Sequence, residues 1–390
     1  MQVTGLKCTL LKFPKYSHAT PTFSVNPIHI FPDMRAGGAT LKKLTEPDML
    51  ILEVETDEGV VGIANTNYTV TAVHAFLDTY LTPLVVGEDP FQTEALWEKM
   101  FRHSIKLGRE GVSSIAIALV DIALWDIKGK ALNQPVYNLL NGKTREKIRA
   151  YASRLYGPDL GALREEAVMY VEQGFTAMKL RFAYGPAHGL DGMKKNRELV
   201  STVRETIGDG IELMVDCCRA FDATYAIRML QMVEEFELSW AEEPVLPHDH
   251  IGYAQVRQAV AMPISGGEHE FSRHAFRSWA EMGCADIWQP DVNRAGGITE
   301  CLKIVHLAAA YDIPVIPHAG QMHNYHLIIA NMNMPLAEYF PPQDQITDSN
   351  AHFWYVTDGE PQVQNGFITL PDKPGFGLEL NQDAMQRYAV

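Results

Sequence analysis

Positive charge is what this 390-residue chain has too little of: 33 lysines and arginines stand against 48 aspartates and glutamates, a formal net charge of −15. No basic cluster is denser than Lys194-Lys195-Asn196-Arg197, so a phosphate backbone would meet repulsion and a nucleic-acid partner is not expected. Cysteine is scarce as well. The five present are odd in number and unpatterned, with two adjacent at 217 and 218, which argues against a disulfide framework or a zinc ribbon and for a reducing, cytoplasmic compartment. The longest apolar stretch, residues 112–127, contains Asp121 and Asp126 and falls short of the ~20 residues a membrane span needs. It reads as a buried core helix, and no membrane partner is expected. Residues 1–13 alternate like a strand and lack a secretory leader's apolar core and small-residue cleavage site. With 46% hydrophobic and 21% charged residues and no low-complexity segment, the composition is that of a globular protein of about two domains.

The first third reads as α+β. Residues 2–12 and 49–64 carry a strand pattern with a turn at Asp57-Glu58-Gly59, and 72–86, 91–107 and 111–131 read as helices. After Gly142 the texture changes to eight short apolar runs, at 148–152, 177–182, 212–217, 238–242, 262–266, 285–289, 314–318 and 336–339, separated by amphipathic helices. Runs that are apolar throughout suit parallel strands buried on both faces, and eight strand–helix repeats in this length suit a (β/α) barrel. A doubly wound sheet is the alternative, but no glycine-rich phosphate turn follows the first run. Domains are expected at 1–135 and 136–355, with the tail, about 356–390, packing back on the first.

In a barrel the chemistry sits at the C-terminal strand ends, and here these are nearly all charged. Asp216, Glu242 and Glu268 are each 26 residues apart, one strand–helix unit. A single such carboxylate usually caps a helix or pairs with a lysine, but three converging anions repel unless a cation sits among them. A hard divalent ion with oxygen ligands, usually Mg²⁺, fits this set. Asp291 and His318 lie 27 residues apart, again one unit. A carboxylate on one imidazole nitrogen fixes the tautomer and keeps the other basic, which makes a general base poised near neutral pH. Less weight falls on other clusters. His248-Asp249-His250 and His323/His326 read as a solvated loop and a helix face, Gly375-Phe376-Gly377 lacks a nucleotide-binding context, and Cys217-Cys218 reads as packing.

This constellation resembles the enolase superfamily, mandelate racemase subgroup, over essentially the whole chain. The resemblance is carried by residues 118–130 running into 134–140, and by Val215-Asp216, Trp240-Ala241-Glu242-Glu243-Pro244, Gly267-Glu268-His269, Gln289-Pro290-Asp291 and Pro317-His318. It implies a modified (β/α)8-type barrel, (β/α)7β, with an N-terminal α+β capping domain. It also implies Asp216, Glu242 and Glu268 as Mg²⁺ ligands, His318 with Asp291 as the acid/base pair, Glu338 as a hydrogen-bond donor to the intermediate, and a homo-oligomer. Within the subgroup, dehydratases of L-rhamnonate look similar in the loop 184–192, in Gly267-Glu268-His269 and in the closing segment 372–381.

The implied reaction removes the C2 proton of a sugar acid and expels the C3 hydroxyl to give a 2-keto-3-deoxy acid. Lys179 supports the developing charge, and His318 or His269 protonates the leaving group. Many subgroup members carry Lys-x-Lys where this chain has Lys179-Leu180-Arg181. Arginine stays protonated and suits binding rather than proton removal, so Arg181 joins His29 and Arg35 as an expected substrate-binding residue. The stretches 29–35 and 65–69 are expected to select the polyol chain. Alternatives on the same scaffold are racemisation or epimerisation, lactone cycloisomerisation, and dehydration of another aldonate or aldarate such as lyxonate, fuconate or galactarate. A noncatalytic sugar-acid binder comes last.

Overall fold

The computed structural model describes residues 1–13, 24–31, 46–342 and 352–390. Strands β1 (Val3–Leu11), β2 (Met49–Thr56) and β3 (Val61–Thr66) form the expected antiparallel meander. Its turn is closed by the Thr56 hydroxyl, which donates to Val60 O and accepts from Val60 N, while Gly59 takes φ +75°. The helix expected over 72–86 starts at Val70 and widens into a π turn, Leu77–Leu81, just before Pro83, whose ring cannot donate to a regular ladder.

Helix Val112–Ala131 is buried on nearly all sides because it lies between this sheet and the barrel. Two buried aspartates fasten it. Asp126 accepts from Ile63 N on β3 and from Phe376 N in the tail and pairs with Lys130 at 2.6 Å; Asp121 accepts from Thr299 N on the barrel side at 2.9 Å. Gly375, at φ +66°, lies so close to Asp126 and Lys130 that a side chain there would clash, which accounts for the first glycine of the pair noted in the sequence.

Burial pushes the Asp121 carboxyl up to about 7, against the opposing bonds from Thr299. Folding therefore favours its protonated form, so its contribution is fully present below the unfolded value of ~4 and is lost as pH rises through about 7. Asp121→Asn keeps an acceptor for Thr299 and removes the titration. It is expected to narrow the gap between urea midpoints measured at about pH 5 and about pH 8.

Seven parallel strands follow in the order β10-β4-β5-β6-β7-β8-β9: β4 (Ile148–Ala152), β5 (Ala177–Arg181), β6 (Glu212–Asp216), β7 (Trp240–Glu242), β8 (Ile264–Gly266), β9 (Ile287–Trp288) and β10 (Ala337–Tyr339). They curl into the barrel of the expected (β/α)7β architecture, capped by the three-stranded unit. The run at 314–318 is present only as isolated bridges, Trp288 to Val315 and Asp291 to His318. Pro314 and Pro317 lack the N–H groups a continuous ladder needs.

The tail returns to the first strand: Lys12 N bonds Tyr388 O, Val390 N bonds Leu10 O, and Phe13 meets Tyr388 edge-on. Among the described residues no helix is long and apolar enough to cross a membrane.

Candidate active site

Strand register brings the chemistry together. Arg181 pairs with Asp216 across β5 and β6, and Asp216 with Glu242 across β6 and β7; Glu268 follows the end of β8. Lys179 is fully buried, with Nζ 2.5 Å from Glu242 Oε1 and 3.0 Å from Glu338 Oε1. Burial opposes its charge, but Glu242 and Glu338 outweigh that and hold it well above its ordinary value. In this arrangement the two carboxylates hold Lys179 protonated. Gln289 Nε2 and Trp240 Nε1 donate to Glu242 Oε2 at 2.7 and 3.2 Å.

In this pocket six carboxylates (Asp216, Glu242, Glu243, Glu268, Asp291, Glu338) face four fixed cations (Lys179, Arg181, Arg219, Arg294). Burial, reinforced by Asp216, Glu338 and Glu268, pushes Glu242 up to about 7 despite the touching lysine. His318, pushed up to about 9, adds a fifth positive charge to the cluster, so it is the donor chemistry that fits Mg²⁺: Asp216, Glu242 and Glu268 are hard carboxylate oxygens at neighbouring strand ends. Among the described residues of this site, Glu243, Glu268 and His269 bring ligand atoms within 4.8 Å of one another, a spacing that Asp216, Glu242 and Glu268 do not reach as placed here. Arg219 and Arg294 both bond His269, so the charge a cation would supply there is already present. With guanidinium donors at Nε2, the His269 ring accepts on that nitrogen and donates from Nδ1 to Glu243 Oε1 at 2.8 Å.

Across the barrel His318 Nδ1 lies 2.7 Å from Asp291 Oδ2, and Nε2 lies 3.0 Å from Glu268 Oε2. Nε2 is thus the nitrogen turned toward the strand-end carboxylates. Burial would lower this imidazole, but Glu268, Asp291 and Glu338 push it up to about 9, above the near-neutral value expected from the pairing with Asp291 alone. Part of that rise comes from Glu268, and a cation sharing the Glu268 charge weakens it. On β10, Glu338 accepts from Ala319 N at 2.7 Å; burial is overcome by Lys179 and His318, which push it down to about 2. It stands as an ionised acceptor, so the donor role implied by the resemblance requires a proton it does not carry in this arrangement.

Arg181 Nε lies 3.4 Å from Asp216 Oδ2 and the guanidinium sits 4.7 Å from the Tyr156 ring centroid, while Nη1 is buried without a partner. His29 sits on the turn Pro27–Ile30 beside the turn Pro186–His188, on a segment tied to the barrel by the bond from Val25 N to Phe182 O. Arg35 lies outside the described residues.

Asp249 caps helix His250–Ala259 through Gly252 N. His323 and His326 are buried rather than on a solvated helix face, because Phe376 of the tail packs over them; burial pushes them down to about 4 and about 3, so both rings are neutral. Cys217 and Cys218 are buried, and burial raises both thiols.

Two contacts carry no signal in the sequence, one of them made from the stretch 65–69 that was expected to select the polyol chain. Tyr68, in the loop after β3, donates its hydroxyl to Asp291 Oδ2 at 3.1 Å, and Arg294 lies over the Tyr68 ring at 4.1 Å while reaching Glu268. Their partners are up to 223 residues away, beyond any local pattern.

Comparison with known proteins identifies the family. Residues 162–384 match the family described as "Enolase C-terminal domain-like", and residues 35–141 match "Mandelate racemase / muconate lactonizing enzyme, N-terminal domain". The L-rhamnonate dehydratase of Saccharopolyspora erythraea is 34% identical over 97% of this chain and 90% of its own length. A crystal structure of rhamnonate dehydratase from Gibberella zeae complexed with Mg superposes with a TM-score of 0.88 at 29% identity, covering 99% of this chain and 96% of that one. The 3,6-anhydro-D-galactonate cycloisomerase of Zobellia galactanivorans superposes at 0.83 with 30% identity, covering 100% of both chains. The chain belongs to the enolase superfamily, mandelate racemase subgroup.

Proposed function

We propose that this chain is a Mg²⁺-dependent sugar-acid dehydratase of the L-rhamnonate dehydratase type, a hydro-lyase of carbohydrate catabolism acting in the cytoplasm as a homo-oligomer. The observation that carries the reading is the His318–Asp291 pair facing three strand-end carboxylates, in a chain 34% identical to an L-rhamnonate dehydratase. Asp216, Glu242 and Glu268 would hold Mg²⁺, which would supply electrophilic stabilisation of the charge that develops on the substrate carboxylate.

The rest follows from the side chains. Asp291 holds the Nδ1 proton, so Nε2 of His318 takes the C2 proton once its competing contact with Glu268 is relieved. Lys179, fixed between Glu242 and Glu338, places positive charge beside the same centre. Protonated His318 then returns its proton to the departing C3 hydroxyl. It suits that step better than His269, whose Nε2 faces two guanidiniums. Water leaves, and the resulting enol becomes a 2-keto-3-deoxy acid.

Arg181 cannot act as a base, and its unpartnered Nη1 offers a buried donor to an oxygen-rich substrate. Arg181→Lys replaces a planar fork by a point charge. Steady-state kinetics should show KM raised by about 10-fold with a smaller change in kcat, the pattern of lost ground-state binding. Cycloisomerisation is the second reading, favoured by the full-length likeness to the Zobellia enzyme. Incubating the Mg²⁺-loaded protein with a panel of aldonates, aldarates and anhydro-aldonates, and scoring 2-keto acid as the semicarbazone, separates the two when the chain length and any ring in the product are read alongside. A 2-keto-3-deoxy acid from an open-chain aldonate supports dehydration, and turnover of the anhydro-aldonates alone supports cycloisomerisation.

A further inference from the structure

We propose that Tyr68 is a positioning residue for the His318–Asp291 pair, so that seating the three-stranded unit on the barrel completes the general base. The inference rests on the reading of that pair given above and adds a group from outside the barrel to it.

The Tyr68 hydroxyl donates to Asp291 Oδ2 at 3.1 Å, and that same oxygen receives Nδ1 of His318 at 2.7 Å. The other oxygen, Oδ1, accepts from Asn293 N at 2.8 Å. Asn293 N on Oδ1 and Arg294 Nε, 3.5 Å from Oδ2, already limit rotation of the carboxylate; the phenol adds a directed donor to Oδ2 itself, the oxygen that holds the ring, and so sets how much of that oxygen's negative charge Nδ1 of His318 meets.

Tyr68 is itself constrained. Its N–H donates to Thr66 Oγ1 at 3.1 Å, the Arg294 guanidinium lies 4.1 Å from its ring centroid, and the next residue, Thr69, takes φ +43°. A β-branched residue in the left-handed region is strained, and the strain is spent turning the chain so that the phenol points into the barrel rather than along the helix Val70–Phe76. The loop is rooted in β3, which is fastened through Asp126 to helix Val112–Ala131. On the barrel side, Ser114 of that helix donates to Arg294 O at 2.6 Å. The phenol, the guanidinium above it and the base are therefore joined through one continuous set of contacts between the cap and the barrel.

Tyr68→Phe removes only the hydroxyl and keeps the ring under Arg294, so the fold is expected to survive, with an unfolding midpoint close to that of the parent. In the Mg²⁺-loaded full chain, kcat is expected to fall by about 10-fold with KM within about 2-fold of the parent, the scale of one hydrogen bond to a charged group. The isotope effect with C2-deuterated substrate should rise as proton removal becomes slower. A variant that loses only packing would instead alter KM or stability and leave the isotope effect unchanged, and that result would overturn the proposal.

A second readout is independent of turnover. The far-downfield proton resonance of the His318 Nδ1–H, assigned by its loss in His318→Asn, should move further downfield in Tyr68→Phe, because Asp291 Oδ2 then serves one donor fewer. An unmoved resonance contradicts the proposal even in an active enzyme. A moved resonance supports it even where no sugar acid is turned over, an outcome that would count against the dehydratase reading alone.

Discussion

His318→Asn is expected to lower turnover by roughly 10³-fold or more and to stop exchange of the substrate C2 proton with deuterated water. The argument is geometric. Nε2 of this ring is the nitrogen aimed at the carboxylate trio, and Nδ1 is already committed to Asp291. Lys179, the other nitrogen that could be considered for the task, is held protonated by Glu242 and Glu338. Asp291→Asn should retain the ring in place but invert the hydrogen bond, presenting a donor to Nδ1 and so favouring the tautomer with the proton on Nε2. Turnover should fall less than in His318→Asn, and C2 exchange should slow without vanishing. Undiminished exchange in the His318 variant would transfer the base to Lys179.

Glu242→Gln is expected to weaken Mg²⁺ binding, measured by calorimetry, by roughly 10²-fold or more, beyond the 10–100-fold that typically follows loss of an outer-sphere partner. The substitution preserves volume and the acceptor for Gln289 while removing one of the three charges expected to hold the ion. It also breaks the 2.5 Å pair with Lys179, but that ammonium keeps Glu338 at 3.0 Å, so the fold should persist. Chelation of the parent protein with EDTA should abolish activity and added Mg²⁺ restore it. Unchanged affinity in the variant would move the ligand assignment to another carboxylate of the pocket.

Much of this arrangement was legible in the sequence because a barrel repeats. Each strand end recurs after one strand–helix unit, so Asp216, Glu242 and Glu268, and then Asp291 and His318, could be placed on neighbouring strands by counting alone. Counting has no access to the contacts made between units. The Lys179 bond to Glu338 crosses from β5 to β10, two strands distant in the sheet, and the Tyr68 bond to Asp291 joins the cap to the barrel. The two aspartates of helix Val112–Ala131 counted in the sequence only as charges that rule out a membrane span. Their role as acceptors for Ile63, Phe376 and Thr299 depends on what packs around the helix.

Helical spacing put His323 and His326 on one face but could not say that the tail would cover it. The near-neutral base expected from an Asp–His pair took no account of Glu268, three residues beyond Ser265 yet 3.0 Å from the imidazole. Regularity of pattern, likewise, could not register that prolines 314 and 317 interrupt the ladder of the seventh strand.

The central claim, a dehydratase with a single working base, is tested most directly by offering the Mg²⁺-loaded protein both C2 epimers of its best sugar acid in deuterated water and following the C2 proton signal by NMR. The account predicts loss of that signal from one epimer only, accompanied by a 2-keto-3-deoxy acid, because His318 serves one face and Arg181 cannot remove a proton from the other. Exchange at C2 of both epimers, with interconversion and no keto acid, would contradict it and would identify the chain as a two-base epimerase.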